Sequence, residues 1–149
     1  MKNFYLISFV LIIGLSVGLI RAQNNDISKI DNNRQRNSAE VILTEIEGGI
    51  AKGNIAAIFK HLSPQTYFSL TDGIRGYFSS NQAYYILEDF FKVYPALSFK
   101  FHSIQSENGN PYATGIYLYE FKGKRESAQV FISLKNAGKS WKIIQITFN

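Results

Sequence analysis

His61 and His102 are the only imidazoles in a 149-residue chain that has no cysteine. Acid/base work therefore falls to them, to carboxylates and to tyrosine hydroxyls. An imidazole titrating near neutrality can act as a general base, and His102 shares a strand face with Ser98 and Lys100, opposite Leu97, Phe99 and Phe101. Glu120 lies between Tyr119 and Phe121. A carboxyl buried among rings has a raised pKa and serves as an acid or base, whereas at the surface Glu120 would pair with Lys122 or Lys124. His102 and Glu120 are thus the two catalytic candidates, and no residue is assigned a catalytic role outright. His61, at the end of a short helical pattern, suits the negative end of a helix dipole. Glu88 and Asp89 are adjacent on the polar side of a helix and do not form a facing carboxylate pair. Tyr84, Tyr112, Tyr117 and Tyr119 each join an apolar ring to a polar tip, so they are the candidate ligand-binding set for a small apolar or aromatic molecule; they suit a core margin equally well.

The same inventory excludes other chemistry. Without cysteine there is no thiol catalysis and no disulfide, and two histidines leave little for a zinc site. Neither a metal nor a cofactor is implied. Lys122, Lys124, Arg125, Lys135, Lys139 and Lys142 fall at hairpin turns and strand starts, where a basic rim attracts anions or a membrane surface or keeps a sheet edge soluble.

Met1 to Ala22 reads as an export signal: Lys2 gives the positive start, "FYLISFVLIIGLSVGLI" the apolar core and Ala22 a small residue at the cut. Because that core is longer than usual, an uncleaved anchor is the alternative. The expected location is periplasmic or secreted. Losing Lys2 and Arg21 with the signal takes 16 basic residues to 14 against 11 acidic, a net charge of +3 instead of +5, too mild to argue for nucleic acid. Residues 23–37, "QNNDISKIDNNRQRN", are polar, rich in asparagine and nearly free of core formers, and read as a disordered leader. One domain remains, residues 38–149, and 15% aromatic and 46% hydrophobic residues are ample for its core.

The elements that must position the candidate residues can be read from period. Val41, Ile42, Ile46 and Ile50 recur at helical spacing. Gly53 fits a helix C-cap and Asn54 the N-cap of a short helix, "IAAIFKHL", stopped by Ser63-Pro64. "TYFSL" and "IRGYF" flank Thr71-Asp72-Gly73 as a hairpin. Ser79 with Gln82 makes a capping box for a helix whose apolar half holds Ala83, Ile86, Leu87, Phe90, Phe91, Val93 and Tyr94, ended by Pro95. After Pro95 the period becomes two, and turns at "NGNP", "KGKR" and "NAGKS" separate four meandering strands. The fold class is α+β, with N-terminal helices packed in a strongly curved antiparallel sheet.

This order of elements, with "KGN" between the first helices, "QAYYILEDFF" in the third, "YATG" opening a strand and "SLKNAGKSWKIIQI" at the end, resembles the small exported bacterial proteins of domain-of-unknown-function family 4783. It is similar to the wider nuclear-transport-factor-like (cystatin-like) superfamily of α+β cones. The resemblance implies a sheet wrapped around a long helix and a cone with an apolar mouth. In the superfamily's enzymes, isomerases and dehydratases among them, the cone holds an Asp or His base and a Tyr or Asp oxyanion donor. That constellation has no residue-by-residue match here.

Two strands look apolar on both faces: Trp141 and Ile143 against Ile144, Ile146 and Phe148, and Ile116 and Leu118 against Tyr117, Tyr119 and Phe121. A sheet covered on one side needs only one such face, so a homodimer through the outer sheet face is expected, with strong curvature as the rival explanation. The functional expectation is an exported module that binds a small ligand or a protein. The alternative is an isomerase- or dehydratase-like enzyme using a carboxylate or histidine base in the cone.

Overall fold

The computed structural model describes residues 27–149, apart from residues 32, 37 and 108. The expected export signal, residues 1–22, lies outside them. Residues 27–31 and 33–35, expected as part of a disordered leader, are helical and exposed, in a unit that ends at Gln35. The run contains neither glycine nor proline, the two residues that most disfavour a helix interior. Among the described residues no helix is long and apolar enough to cross a membrane.

From residue 36 onward the chain forms the α+β domain. Its first helix, α1, covers 38–51. The buried stripe runs through Ala39, Leu43, Ile46 and Ile50, all at most 1% exposed. Each fully buried aliphatic side chain of this size contributes about 1.5–3 kcal/mol. Val41, expected on that stripe, is 59% exposed: the i, i+4, i+7, i+11 row passes through Leu43 instead. Gly53 takes φ +61, as a helix C-cap requires. Asn54 then caps α2 (Ile55–Phe59), its side chain accepting from the Ala57 amide at 3.3 Å. Ser63 and Pro64 do not follow a longer helix as expected; they already belong to β1 (Leu62–Ser69).

The Asp72-Gly73 turn leads from β1 into β2 (Arg75–Ser79), with the Asp72 side chain accepting from the Ile74 amide. Ser79 and Gln82 form the expected capping box of α3 (Ser80–Val93). Ala83, Leu87, Phe90 and Phe91 make its buried face, while Val93 turns outward. The meander follows as β3 (Ala96–Gln105), β4 (Tyr112–Phe121), β5 (Lys124–Asn136) and β6 (Trp141–Phe148).

All six strands share one sheet in the order β2-β1-β6-β5-β4-β3. The early hairpin joins the meander because β1 pairs in parallel with β6; the other pairings are antiparallel. The sheet curves around the helices without closing, and its inner face carries Phe68, Phe99, Ala113, Tyr117, Ile132, Ile146 and Phe148 into the core shared with α1 and α3.

β-Bulges decide which residues reach that face. In β3, Leu97 is the extra residue between the pairs Ala96–Tyr119 and Ser98–Leu118, and His102 the extra residue between Phe101–Gly115 and Ser103–Thr114. In β6, Ile144 is the extra residue between Leu134–Ile143 and Ser133–Gln145. A bulge resets the alternation by one residue. Leu97 is therefore 48% exposed instead of buried, and Trp141, Ile143, Ile146 and Phe148 all face one core. The two-faced reading of β6 is corrected in this way, since only the bulged Ile144 stays apart from that core.

Candidate functional site

The cone interior is packed by rings. Phe90 from α3, Tyr117 from β4 and Phe148 from β6 are at most 1% exposed. Their centroids lie 4.8 Å (Phe90–Phe148), 5.2 Å (Tyr117–Phe148) and 6.3 Å (Phe90–Tyr117) apart, and Phe91 and Phe99 close around them. The Tyr117 hydroxyl donates to the Tyr94 carbonyl at 2.6 Å, where the chain leaves α3. Burial, followed by the neighbouring Tyr119, pushes that hydroxyl well above the usual tyrosine pKa. It is thus a fixed hydrogen-bond donor and not a group ready to exchange its proton. Tyr119 stacks on Tyr117 at 5.7 Å and meets Tyr94 edge-on at 5.4 Å. Its pKa is raised by burial, then by Glu126 and Tyr94.

Gly115 shows how closely β3 and β4 approach at the His102 bulge: a Cβ there would lie 2.5 Å from the Lys100 carbonyl oxygen and 2.8 Å from the Phe99 ring. Beside it, the Glu47 carboxylate reaches from α1 and accepts from the Phe101 amide at 2.7 Å. This charge-assisted bond satisfies backbone next to the His102 bulge. Nothing in the spacing of Glu47 marks it as a strap to a strand 54 residues away.

The candidate tyrosines do not form one site. Tyr117 and Tyr119 lie in the core; Tyr84, half-buried on α3, meets Phe59 edge-on at 5.5 Å; Tyr112 is on the opposite sheet face, stacked on Phe131 at 5.5 Å. The catalytic candidates are also outside the interior. His102 is exposed at its bulge, with Nε2 3.2 Å from the Thr114 hydroxyl, and lines a shallow groove of about 380 Å³ with Gln129, Phe131 and Asn149. Glu120 is exposed on β4, opposite Arg125 in register. The basic residues divide as well: Lys122, Lys124 and Arg125 stand at one end of β5 and Lys135, Lys139 and Lys142 at the other, on the order of 35 Å away along the strand.

Further grooves open among the described residues. One, of about 450 Å³, lies where α1 and α2 meet α3, lined by Lys52, Ile55, Phe91 and Pro95 and edged by the Glu88–Lys92 ion pair at 3.0 Å. Another, of about 490 Å³, crosses β2, β1, β6 and β5 on the face away from the helices.

His61 belongs to a third arrangement. Its Nε2 lies 2.9 Å from the Glu45 carboxylate, which also accepts from Lys60 at 2.6 Å. Lys142 donates to the Lys60 carbonyl at 2.7 Å, and the His61 carbonyl accepts from Ile143. Burial lowers the His61 pKa below its ordinary value, against the opposing pull of Glu45. This cluster ties α1 to the start of β1 and to β6. Among the described residues no group of three His, Asp or Glu side chains is placed to hold a metal.

A family model for a domain of unknown function, DUF4783, matches residues 43–149, the whole of the sheet and most of the helical layer. The chain belongs to the DUF4783 family. Crystal structures of two other DUF4783 proteins superpose on it. The one from Bacteroides uniformis has 15% identity over 71% of this chain and 94% of its own, with a TM-score of 0.65. The one from Bacteroides ovatus has 13% identity over 70% and 90%, with a TM-score of 0.62. The chain is also similar to a hypothetical protein with a ketosteroid isomerase-like fold from Catenulispora acidiphila, solved with trimethylamine, at 11% identity over 72% and 83% and a TM-score of 0.58. At these identities the likeness is one of fold, and it places this DUF4783 domain among the nuclear-transport-factor-like cones. No curated protein matches the chain.

Proposed function

We propose that this DUF4783 domain is an exported binding module without catalytic activity, that it works through the outer face of its sheet, and that a second copy of the chain is its first partner. The observation that carries the reading is the contrast between a cone filled by Phe90, Tyr117 and Phe148 and an outer face that leaves Tyr112, Ile116 and Leu118 39–43% exposed.

The charge pattern supports it. Two outer rows cross the sheet in register, Gln105–Tyr112–Ser133–Gln145–Tyr67–Tyr77 and Ser103–Thr114–Phe131–Thr147–Ser69–Arg75. Their one charged member, Arg75, is at the free edge. Interface cores are depleted of charge and enriched in aromatic residues, and a neutral patch can meet its own copy about a two-fold axis without like-charge repulsion. Ile116 and Leu118, beside Tyr112 and Phe131, would form the centre, with Lys100, the register partner of Ile116 on the edge strand β3, as the charge at its margin. Neither His102 nor Glu120 enters the cone, which weighs against a base working there.

Sedimentation equilibrium on residues 23–149, from micromolar to millimolar concentration, tests the partner. The expected result is a reversible dimer that Ile116→Lys abolishes while thermal unfolding stays unchanged. A monomer throughout that range would overturn self-association.

A further inference from the structure

We infer that the groove across β2, β1, β6 and β5 is a binding site for an acidic saccharide, with Tyr67 and Tyr77 as the stacking platform and Lys135 as the reader of the acid group. This goes beyond the sheet-pairing reading, with which it shares the row that runs from Tyr112 through Gln145 and Tyr67 to Tyr77. The groove's outermost ring, Tyr77, stands four strand spacings, about 19 Å, from Tyr112 along that row.

The site is built by irregularities that the sheet does not otherwise need. Between the pairs Leu62–Ile143 and Tyr67–Gln145, β1 advances five residues while β6 advances two. On the other side of β6, Ile144 is bulged against β5. Two breaks in adjoining ladders fall at one place, and a hollow of about 490 Å³ lies there on the face away from the helices. Bulges recur beside functional sites because they re-aim side chains. The break in β1 is held open from within: the buried Thr66 hydroxyl donates to the Ile143 carbonyl at 3.0 Å.

The hollow's lining defines the ligand. Tyr77 is 72% exposed, far beyond what the fold requires of a ring, and it meets Tyr67 edge-on with centroids 5.2 Å apart. Beside this pair the wall carries Gln65, Gln145 and Ser63, with Lys135 at its margin. Side-chain amides and a hydroxyl each donate and accept, which matches vicinal sugar hydroxyls that do the same. Exposed tyrosine rings accept the C–H face of a pyranose while their hydroxyls stay wet. The groove is open, so a ligand that remains partly hydrated fits it better than a wholly apolar one. Lys135 is the one charged group in the lining, and its ammonium favours a carboxylate on the sugar.

Amide NMR of residues 23–149, titrated with a galacturonic acid trisaccharide and in parallel with maltotriose, tests the site. The acidic trisaccharide is expected to shift Gln65, Tyr67, Tyr77 and Gln145, and to bind more tightly than the neutral one. Tyr77→Ala, at an exposed edge-strand position, should weaken binding roughly tenfold, the scale of losing one aromatic platform. Lys135→Gln should remove the preference for the acid, while Lys124→Gln, at the other end of β5, leaves it intact. Shifts confined to the basic β4–β5 turn, no shifts with either sugar, or undiminished binding by Tyr77→Ala would each overturn the assignment. A dimer that fails to form would leave these shifts unaltered, so the two readings fail separately.

Discussion

Tyr117 and Ile116 are neighbours in β4, and the sheet sends them to opposite environments. Tyr117 is fully buried, surrounded by five rings and bonded through its hydroxyl to the end of α3, whereas Ile116 is 39% exposed beside Leu118 on the face away from the core. The inner face is spent on packing. Among the described residues the outer face leaves Tyr112, Ile116 and Leu118 partly exposed, and this is the surface that the proposed pairing would cover. The difference teaches that a cone fold does not by itself supply a cone pocket, because the aromatic residues that line it in this chain also fill it.

The comparison can be broken most strongly from the inside. Tyr117→Ala should cost about 3–5 kcal/mol, the range for removing a large buried ring, read as a lower urea midpoint. Tyr117→Phe should cost about 1–2 kcal/mol through the lost bond to the Tyr94 carbonyl. A near-neutral Tyr117→Ala would mean the interior is loosely filled, and small-ligand binding there would regain support.

Next in size is the strap between helix and sheet. Glu47→Ala should cost about 1–3 kcal/mol by leaving the Phe101 amide without its carboxylate acceptor, and hydrogen exchange at Phe101 should speed up. Unchanged exchange would show that α1 is held without this bond.

The pH dependence should be smaller. His61 faces Glu45, Lys60 and Lys142, and with its folded pKa below the unfolded value, the unfolded chain binds more protons in the interval between the two. Stability is therefore retained above about pH 6.5, the ordinary histidine value, and declines as pH falls below it. His61→Gln should flatten that decline in thermal unfolding followed from neutral to mildly acidic pH. An unaltered profile would assign the decline to other groups. Smallest of all, Ile116→Thr on the outer face should change monomer stability by no more than about 0.5 kcal/mol, which would set it apart from its buried neighbour.

Much of this arrangement was legible in the sequence. Asn54, the Asp72-Gly73 turn and the Ser79–Gln82 capping box are local devices, and each works where its residues stand. Gly53 was legible as a cap for the same reason. The opening stretch of β3 shows where reading by period ends. Phe99 and Phe101 alternate as expected, yet Leu97 and His102 fall on bulges, and Ile144 does the same in β6. A bulge is set by how two strands pair, so counting along one strand cannot reveal it. The candidate site was less legible for a related reason. Tyr84, Tyr112, Tyr117 and Tyr119 share a chemistry and not a place, while Tyr67 and Tyr77 come together only through the hairpin register. That register, counted outward from the three-residue loop Thr71-Asp72-Gly73, was the signal that could have found them.

The most direct test of the central claim is to follow amide and methyl NMR shifts of residues 23–149 as concentration is raised. Shifts that move at Tyr112, Ile116, Leu118 and Phe131, while Phe90, Tyr117 and Phe148 hold still, are the predicted result. Movement centred on the cone residues, or none on the outer face, would contradict it.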